Sequence, residues 1–151
     1  MKSDFKVSVT KKNLPDNFDE LKKSLNRASN WRERLDTIDK LGAWKSKEAI
    51  ELLKYRLKGD SVYRVQEAAY DQLVSWGQDV TMPEKKTGEL FKDTNKILLR
   101  IKKSLPEDHS FEDFKEKVKK MRMDLYDTYE GNKGKNFNKW LKETWASLDI
   151  K

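Results

Sequence analysis

The sequence predicts an all-α protein, and three observations predict it. Apolar residues recur at spacings of three and four, the period of one helix face. Asn and Ser stand where these stretches begin and Gly where several of them end. The first half also matches itself at an offset of 32 residues, a period characteristic of stacked helical hairpins.

Residues 1–15 read as an extended leader, in which Phe5-Lys6-Val7-Ser8-Val9-Thr10 alternates briefly as a strand would. From Asp16 onward, Phe18, Leu21, Leu25 and Ala28 share one helix face, and Asn17 with Glu20 can form a capping box. A second helix follows Asn30, with Trp31, Leu35, Ile38 and Leu41 on one side, Glu33 three residues past the cap, and Gly42 near its end. Ser46 opens a third, carrying Ile50, Leu53 and Leu57 and closed by Gly59. Asp60 or Ser61 opens a fourth, carrying Val62, Val65, Ala69, Leu73 and Trp76 and closed by Gly77. Glycine suits a helix end because it takes the left-handed conformation without a Cβ penalty.

The four helices superimpose in pairs. Phe18 falls on Ile50, Leu21 on Leu53 and Leu25 on Leu57. Trp31 falls on Tyr63, Arg32 on Arg64, Asp39 on Asp71, Leu41 on Leu73 and Trp44 on Trp76. Residues 16–44 and 48–76 therefore read as two copies of one hairpin.

The run from Trp31 to Gly42, WRERLDTIDKLG, resembles the second helix of a HEAT repeat, and Lys47 to Leu53, KEAIELL, resembles the first helix of the next. Asp60 to Leu73, with its small Ala68-Ala69 pair, is similar to a further second helix. The resemblance covers about residues 16–77 and implies an armadillo-like α-solenoid that binds other macromolecules on its inner helices. Stacked repeats usually need about three copies to bury a continuous core. Two copies leave an apolar flank, which the second half is expected to cover.

Residues 78–88 lack periodicity, contain Pro83 and Gly88, and read as a connector. Residues 89–151 read as a three-helix capping segment packed on the repeats. Its first helix, from about Glu89 to Ser104, carries Leu90, Phe91, Ile97, Leu98 and Ile101 and stops before Pro106. Ser110 and Asp113 then cap a second, with Phe111, Phe114, Val118, Met121 and Leu125 on its face and Tyr126 and Tyr129 continuing the stripe. Gly131-Asn132-Lys133-Gly134-Lys135 is a flexible loop by composition. The last helix presents Phe137, Trp140, Leu141, Trp145 and Leu148.

Composition narrows the classes. Charged residues make up 39% of the chain, but 11% are aromatic and the net charge is only +7, which favours a packed core over disorder. The absence of cysteine excludes disulfides and thiolate metal sites. The single histidine, His109, sits in a loop-like stretch and reads as solvated, so no metal and no cofactor are expected. No apolar run approaches the ~20 residues that span a bilayer, and no signal-peptide core opens the chain. A cytoplasmic protein without membrane contact is the expectation.

Enzyme signatures are missing: there is no glycine-rich phosphate loop, no nucleophile elbow and no histidine pair. HEAT-like DNA glycosylases share the implied fold and use tryptophans with an acidic residue, for which Trp31, Trp44, Trp76, Asp39 and Asp71 are available. The repeat itself accounts for those matches, and two hairpins are too few to wrap a duplex. The sequence therefore points to a non-catalytic adaptor or regulator with a protein partner. Its candidate contacts are Trp31, Arg32 and Arg34 in the first repeat and Tyr63, Arg64 and Tyr70 in the second, since aromatics and arginines anchor such interfaces. The alternative is a nucleic-acid-binding accessory protein. It would use Lys92, Lys96, Arg100, Lys102 and Lys103 on one helix, with Lys133 and Lys135 beside a helix N-terminus that favours phosphate.

Overall fold

The computed structural model describes residues 14–27 and 29–148. The leader expected at residues 1–15 lies, up to residue 13, outside the described residues, as does Ala28. The fold is all-α: the described residues contain eight α-helices, one turn of 3-10 helix and no strand. They divide into two compact units, the first ending at Lys85 and the second beginning at Lys86.

The N-terminal unit holds α1 (Phe18–Leu25), α2 (Trp31–Leu41), α3 (Lys47–Gly59) and α4 (Tyr63–Ser75). Helix α1 packs on α2, α3 on α4, and α2 on α4, so the two hairpins meet through their second helices. Six of the eight pairs aligned at an offset of 32 have matching environments; Trp31 and Tyr63, and Trp44 and Trp76, differ in burial. Leu21 and Leu53, Leu25 and Leu57, and Leu41 and Leu73 are buried, whereas Arg32 and Arg64, and Asp39 and Asp71, are exposed. A second correspondence lies in the hydrogen bonds. Arg34, fourth in α2, donates to the Arg27 carbonyl at 2.6 Å, and Gln66, fourth in α4, donates to the Leu57 carbonyl at 2.9 Å. In each hairpin the second helix thus ties down the end of the first.

The helix ends follow the sequence at some positions and depart at others. Asn30 accepts from the Glu33 amide at 3.0 Å and Ser46 from the Ala49 amide at 3.1 Å. Asn17 makes no such bond, because its backbone (φ −99°, ψ 28°) is already turned and the Phe18 amide bonds Pro15 instead. Of the three glycines expected to close helices in the left-handed conformation, only Gly77 does so, at φ +79°. There Gly77 N–H reaches Val74 and Gln78 N–H reaches Leu73, both at 2.9 Å, which satisfies two terminal carbonyls of α4. Gly42 is right-handed, and a Cβ there would press on the tip of the Gln72 side chain, which can move aside. Gly59 is simply the last residue of α3.

After Gly77 the chain returns along its own unit. Val80 and Met82 pack against the core, and the Lys85 ammonium lies 5.7 Å from the Tyr63 ring, at the opposite end of α4 from Trp76. Part of the residue 78–88 stretch, read from composition as a connector, thus shields apolar surface of the hairpins. Alternation between apolar and polar residues over only Val80 and Met82 is too short to register as a pattern.

Between the hairpins lies a buried ion pair. Asp60 was expected to open a helix; instead it is buried two residues ahead of the α4 cap, Val62. Its carboxylate accepts from Arg34 Nε at 2.8 Å and Arg34 Nη2 at 3.1 Å, from Arg56 at 3.1 Å and from the Val62 amide at 2.9 Å. The fork joins α2 to the α3–α4 turn.

The C-terminal unit holds α5 (Thr94–Lys103), α6 (Phe111–Met121), α7 (Met123–Lys133), a 3-10 turn (Gly134–Asn136) and α8 (Phe137–Ser147). Four α-helices thus stand where three were expected. The long helix predicted after Ser110 breaks at Arg122 (φ −138°, ψ 64°), while the Ser110–Asp113 capping box forms in both directions at 3.1 Å. The loop predicted at Gly131 to Lys135 shrinks to a break at Gly134, whose left-handed φ of 56° ends α7, while Gly131 to Lys133 are helical and Lys135 belongs to the 3-10 turn. Tyr129 stacks on Trp140 with ring centroids 4.3 Å apart and joins α7 to α8 across that break. The first helix starts late, at Thr94, because Asp93 is left-handed (φ 62°) and breaks the helix there; ahead of it the Leu90 amide donates to the Tyr129 hydroxyl.

Two stability outcomes follow. Asp60→Ala should cost about 3–5 kcal/mol in urea unfolding, since it strands Arg34 and Arg56, whereas Arg34→Met/Arg56→Met/Asp60→Leu should recover most of the loss. Gly77→Ala should destabilise by about 1–2 kcal/mol, the penalty for a side chain in the left-handed region. Gly59→Ala, with open space around its Cβ position, should be neutral or stabilising by up to ~1 kcal/mol.

Candidate functional site

Helices α2 and α4 begin side by side, and their first residues are aromatic. Trp31 is only 5% exposed and belongs to the core, yet its ring carries two cations. The Arg32 guanidinium carbon is 4.5 Å from the Trp31 centroid and that of Arg64 is 5.3 Å away. These arginines occupy the same position in successive hairpins, so the repeat spacing brings two guanidinium groups to one indole. Each such contact contributes about 0.5–1 kcal/mol at an exposed site and restricts where the side chain can go. Both arginines remain exposed.

Next to them Tyr63 is half-buried beneath Lys85. Tyr70 lies two turns along the same face of α4, half-buried against the core. Positive helix N-termini add to the cationic character of this end. Of the acidic residues nearby, Glu33 is engaged by Arg27 at 3.0 Å and Asp36 by Lys40 at 3.0 Å, while Glu67 stands exposed one turn past Arg64. The surface is thus aromatic at its base and cationic at its rim.

The six residues selected from sequence therefore separate. Arg32 and Arg64 are exposed and converge; Tyr63 and Tyr70 flank them; Trp31 is a core residue that orients the arginines. Arg34 is corrected: it is 1% exposed and committed to Asp60, so it is not available to a partner. Three residues that sequence reasoning did not single out complete the picture. Asp60 fixes the hairpins, Arg56 helps hold it, and Lys85 extends the cationic rim. No pattern in the chain announces that Asp60 is buried.

The residues of the alternative also divide. Lys92, Lys96, Arg100 and Lys103 are exposed, as is Lys135. Lys102 is corrected: it turns inward, donates to the Trp145 and Leu148 carbonyls, the latter at 3.0 Å, and so caps the end of α8. Lys133 lies half-buried over the Trp140 ring at 5.1 Å. The helix N-terminus expected to offer free amides is fed directly by the 3-10 turn, whose Gly134 carbonyl already accepts from Phe137.

His109 is also corrected. Instead of standing in solvent it is half-buried, with its Nε2 2.9 Å from Trp145 Nε1 and its Nδ1 2.6 Å from the Pro106 carbonyl. The indole nitrogen can only donate, so Nε2 accepts and Nδ1 carries the proton.

Two open concavities mark the N-terminal unit. One of about 440 Å³ is bounded by Pro15, Asn17, Leu21, Lys40 and Trp44; the other, about 250 Å³, lies between α1 and α3 beside Glu48 and Glu51. Those glutamates are exposed, without the burial that splits a catalytic carboxylate pair. Among the described residues no group of His, Asp or Glu could hold a metal ion, and no helix is long and apolar enough to cross a membrane.

No protein-family model matches the chain, and no curated protein or solved structure matches it either.

Removing Arg32 and Arg64 together, as alanines, should cost less stability than removing Arg34, because both are exposed and neither holds a buried charge. Arg34→Ala should cost about 3–5 kcal/mol. Urea unfolding of the two variants separates surface arginines from the structural one.

Proposed function

We propose that the protein is a non-catalytic adaptor or regulator that binds an acidic protein partner through the N-terminal ends of α2 and α4. Its N-terminal unit is, on this proposal, a short HEAT-like stack of two hairpins. The matched burial of six pairs of residues 32 apart and the equivalent Arg34 and Gln66 bonds support the stack. Function is argued from the surface and not from the fold.

The observation that carries it is the convergence of Arg32 and Arg64 on the Trp31 ring. Guanidinium groups bind carboxylates through two parallel hydrogen bonds, and a side chain already held in place loses less entropy on binding. Half-buried Tyr63 and Tyr70 offer apolar contact beside that charge, the combination typical of interface anchors. A non-catalytic role is supported by Asp60, a buried carboxylate whose hydrogen-bonding capacity is consumed by two arginines and an amide.

Proteins captured from an extract of the producing cell by immobilised wild type can be compared by quantitative mass spectrometry with those captured by Arg32→Glu/Arg64→Glu. A charge-matched Lys23→Glu/Lys54→Glu variant serves as control. The specific partner should be lost with the arginine variant and retained by the lysine variant. Equal capture by all three would exclude this face as the interface.

A further inference from the structure

We propose that the outer face of α5 is a sequence-independent binding site for the phosphate backbone of nucleic acid, formed by Lys96, Arg100 and Lys103 with Lys92 just ahead of the helix. It uses none of the residues of the proposed protein interface, so either can fail alone.

At about 100° per residue, Lys96, Arg100 and Lys103 fall within roughly 60° of arc on one side of the helix. All three are exposed, while Thr94, Leu98 and Ile101 point into the core and Lys102 is turned away to cap α8. Helix α5 has no acidic residue, in contrast to α6, where Glu112, Asp113 and Glu116 intersperse the lysines. The nearest acidic residues in sequence are Asp93 before the helix and Glu107 and Asp108 after it. Among the described residues, none of the four cations is in an ion pair.

Unpaired like charges on one stripe repel one another and are relieved by a polyanion. From Lys96 to Lys103 the stripe rises about 10 Å, at ~1.5 Å per residue. One strand of duplex DNA presents a phosphate about every 3.4 Å along the axis, so the stripe spans enough phosphates for each of its three cations to meet one. A protein partner would call for an apolar anchor at the centre of the patch. The α5 face offers only Asn95 and the half-buried Leu99, and so lacks both that anchor and the bulky apolar residues an interfacial membrane helix inserts. No aromatic residue stands on the face to stack on a base. Recognition is therefore of the backbone alone.

The test uses the full chain and fluorescein-labelled 20-base-pair DNA of two unrelated sequences, plus a 20-nucleotide single strand, titrated from 50 to 200 mM salt. Wild type should bind both duplexes alike, with a log–log salt slope of about −3, and the single strand with about −2. Lys96→Gln/Arg100→Gln/Lys103→Gln should lower affinity at 50 mM salt by at least about tenfold and flatten the slope. Lys23→Gln/Lys54→Gln/Lys58→Gln, with the same loss of charge on exposed positions of α1 and α3, should bind as wild type does. Thermal melts show whether both variants remain folded, and single substitutions at Lys96 and Arg100, each reducing the slope by about one, serve if the triple variant does not. Absence of binding at 50 mM salt, an equal loss in both triple variants, or binding to phosphatidylserine vesicles without binding to DNA would each overturn the proposal.

Discussion

Asp60 and Arg34 set the relation between the two hairpins. Isolated helices of 8 to 13 residues are at best marginal in water, so α1 to α4 need tertiary contacts to exist at all. Apolar burial supplies most of that stability but leaves register loosely specified, because leucines tolerate sliding. A buried carboxylate that accepts four hydrogen bonds does not. Within the α3–α4 hairpin Asp60 keeps Arg56 and the Val62 amide, but only one placement of α2 brings Arg34 to it, and any slip leaves that buried guanidinium without its carboxylate. That placement also determines which residues meet at the surface, since Arg64 can reach Trp31 only when the two helix starts lie level.

The elements that could be read from the chain are those decided by local pattern. The apolar stripes of α1 to α4 and the caps at Asn30, Ser46 and Ser110 lie where the three- and four-residue spacings put them. So do the positions of α5 and α8, to within a few residues. What could not be read depends on distant partners. Gly131 to Lys135 carries every local sign of a loop, yet α7 runs through Lys133 and only Gly134 turns the chain, bridged by the stacking of Tyr129 on Trp140. Leu90 and Phe91 fit a helical stripe, but the left-handed Asp93 stands between them and the helix, which starts at Thr94. Arg34 and Arg32 are two residues apart in one helix; the position of Asp60 makes the first a buried structural residue, while the second lies exposed over the Trp31 ring.

The same logic sorts the lysines of the C-terminal unit. Lys102 and Lys103 are adjacent in the chain and chemically identical, and the helix turns them through about 100° relative to each other. One closes the end of α8 and the other faces solvent. Charge counted along a sequence overstates the charge available to a partner, and the overstatement is largest where basic residues cluster on amphipathic helices.

The bond between His109 and Trp145 gives the molecule an internal gauge. The chain has a single imidazole, and its two nitrogens are engaged by a backbone carbonyl of the α5–α6 turn and by an indole from the far end of α8. One nitrogen must carry hydrogen and the other must not. In a nuclear magnetic resonance spectrum, the ring signals of this one residue would therefore show at a glance, without labelling other sites, whether the last helix is seated or has come away.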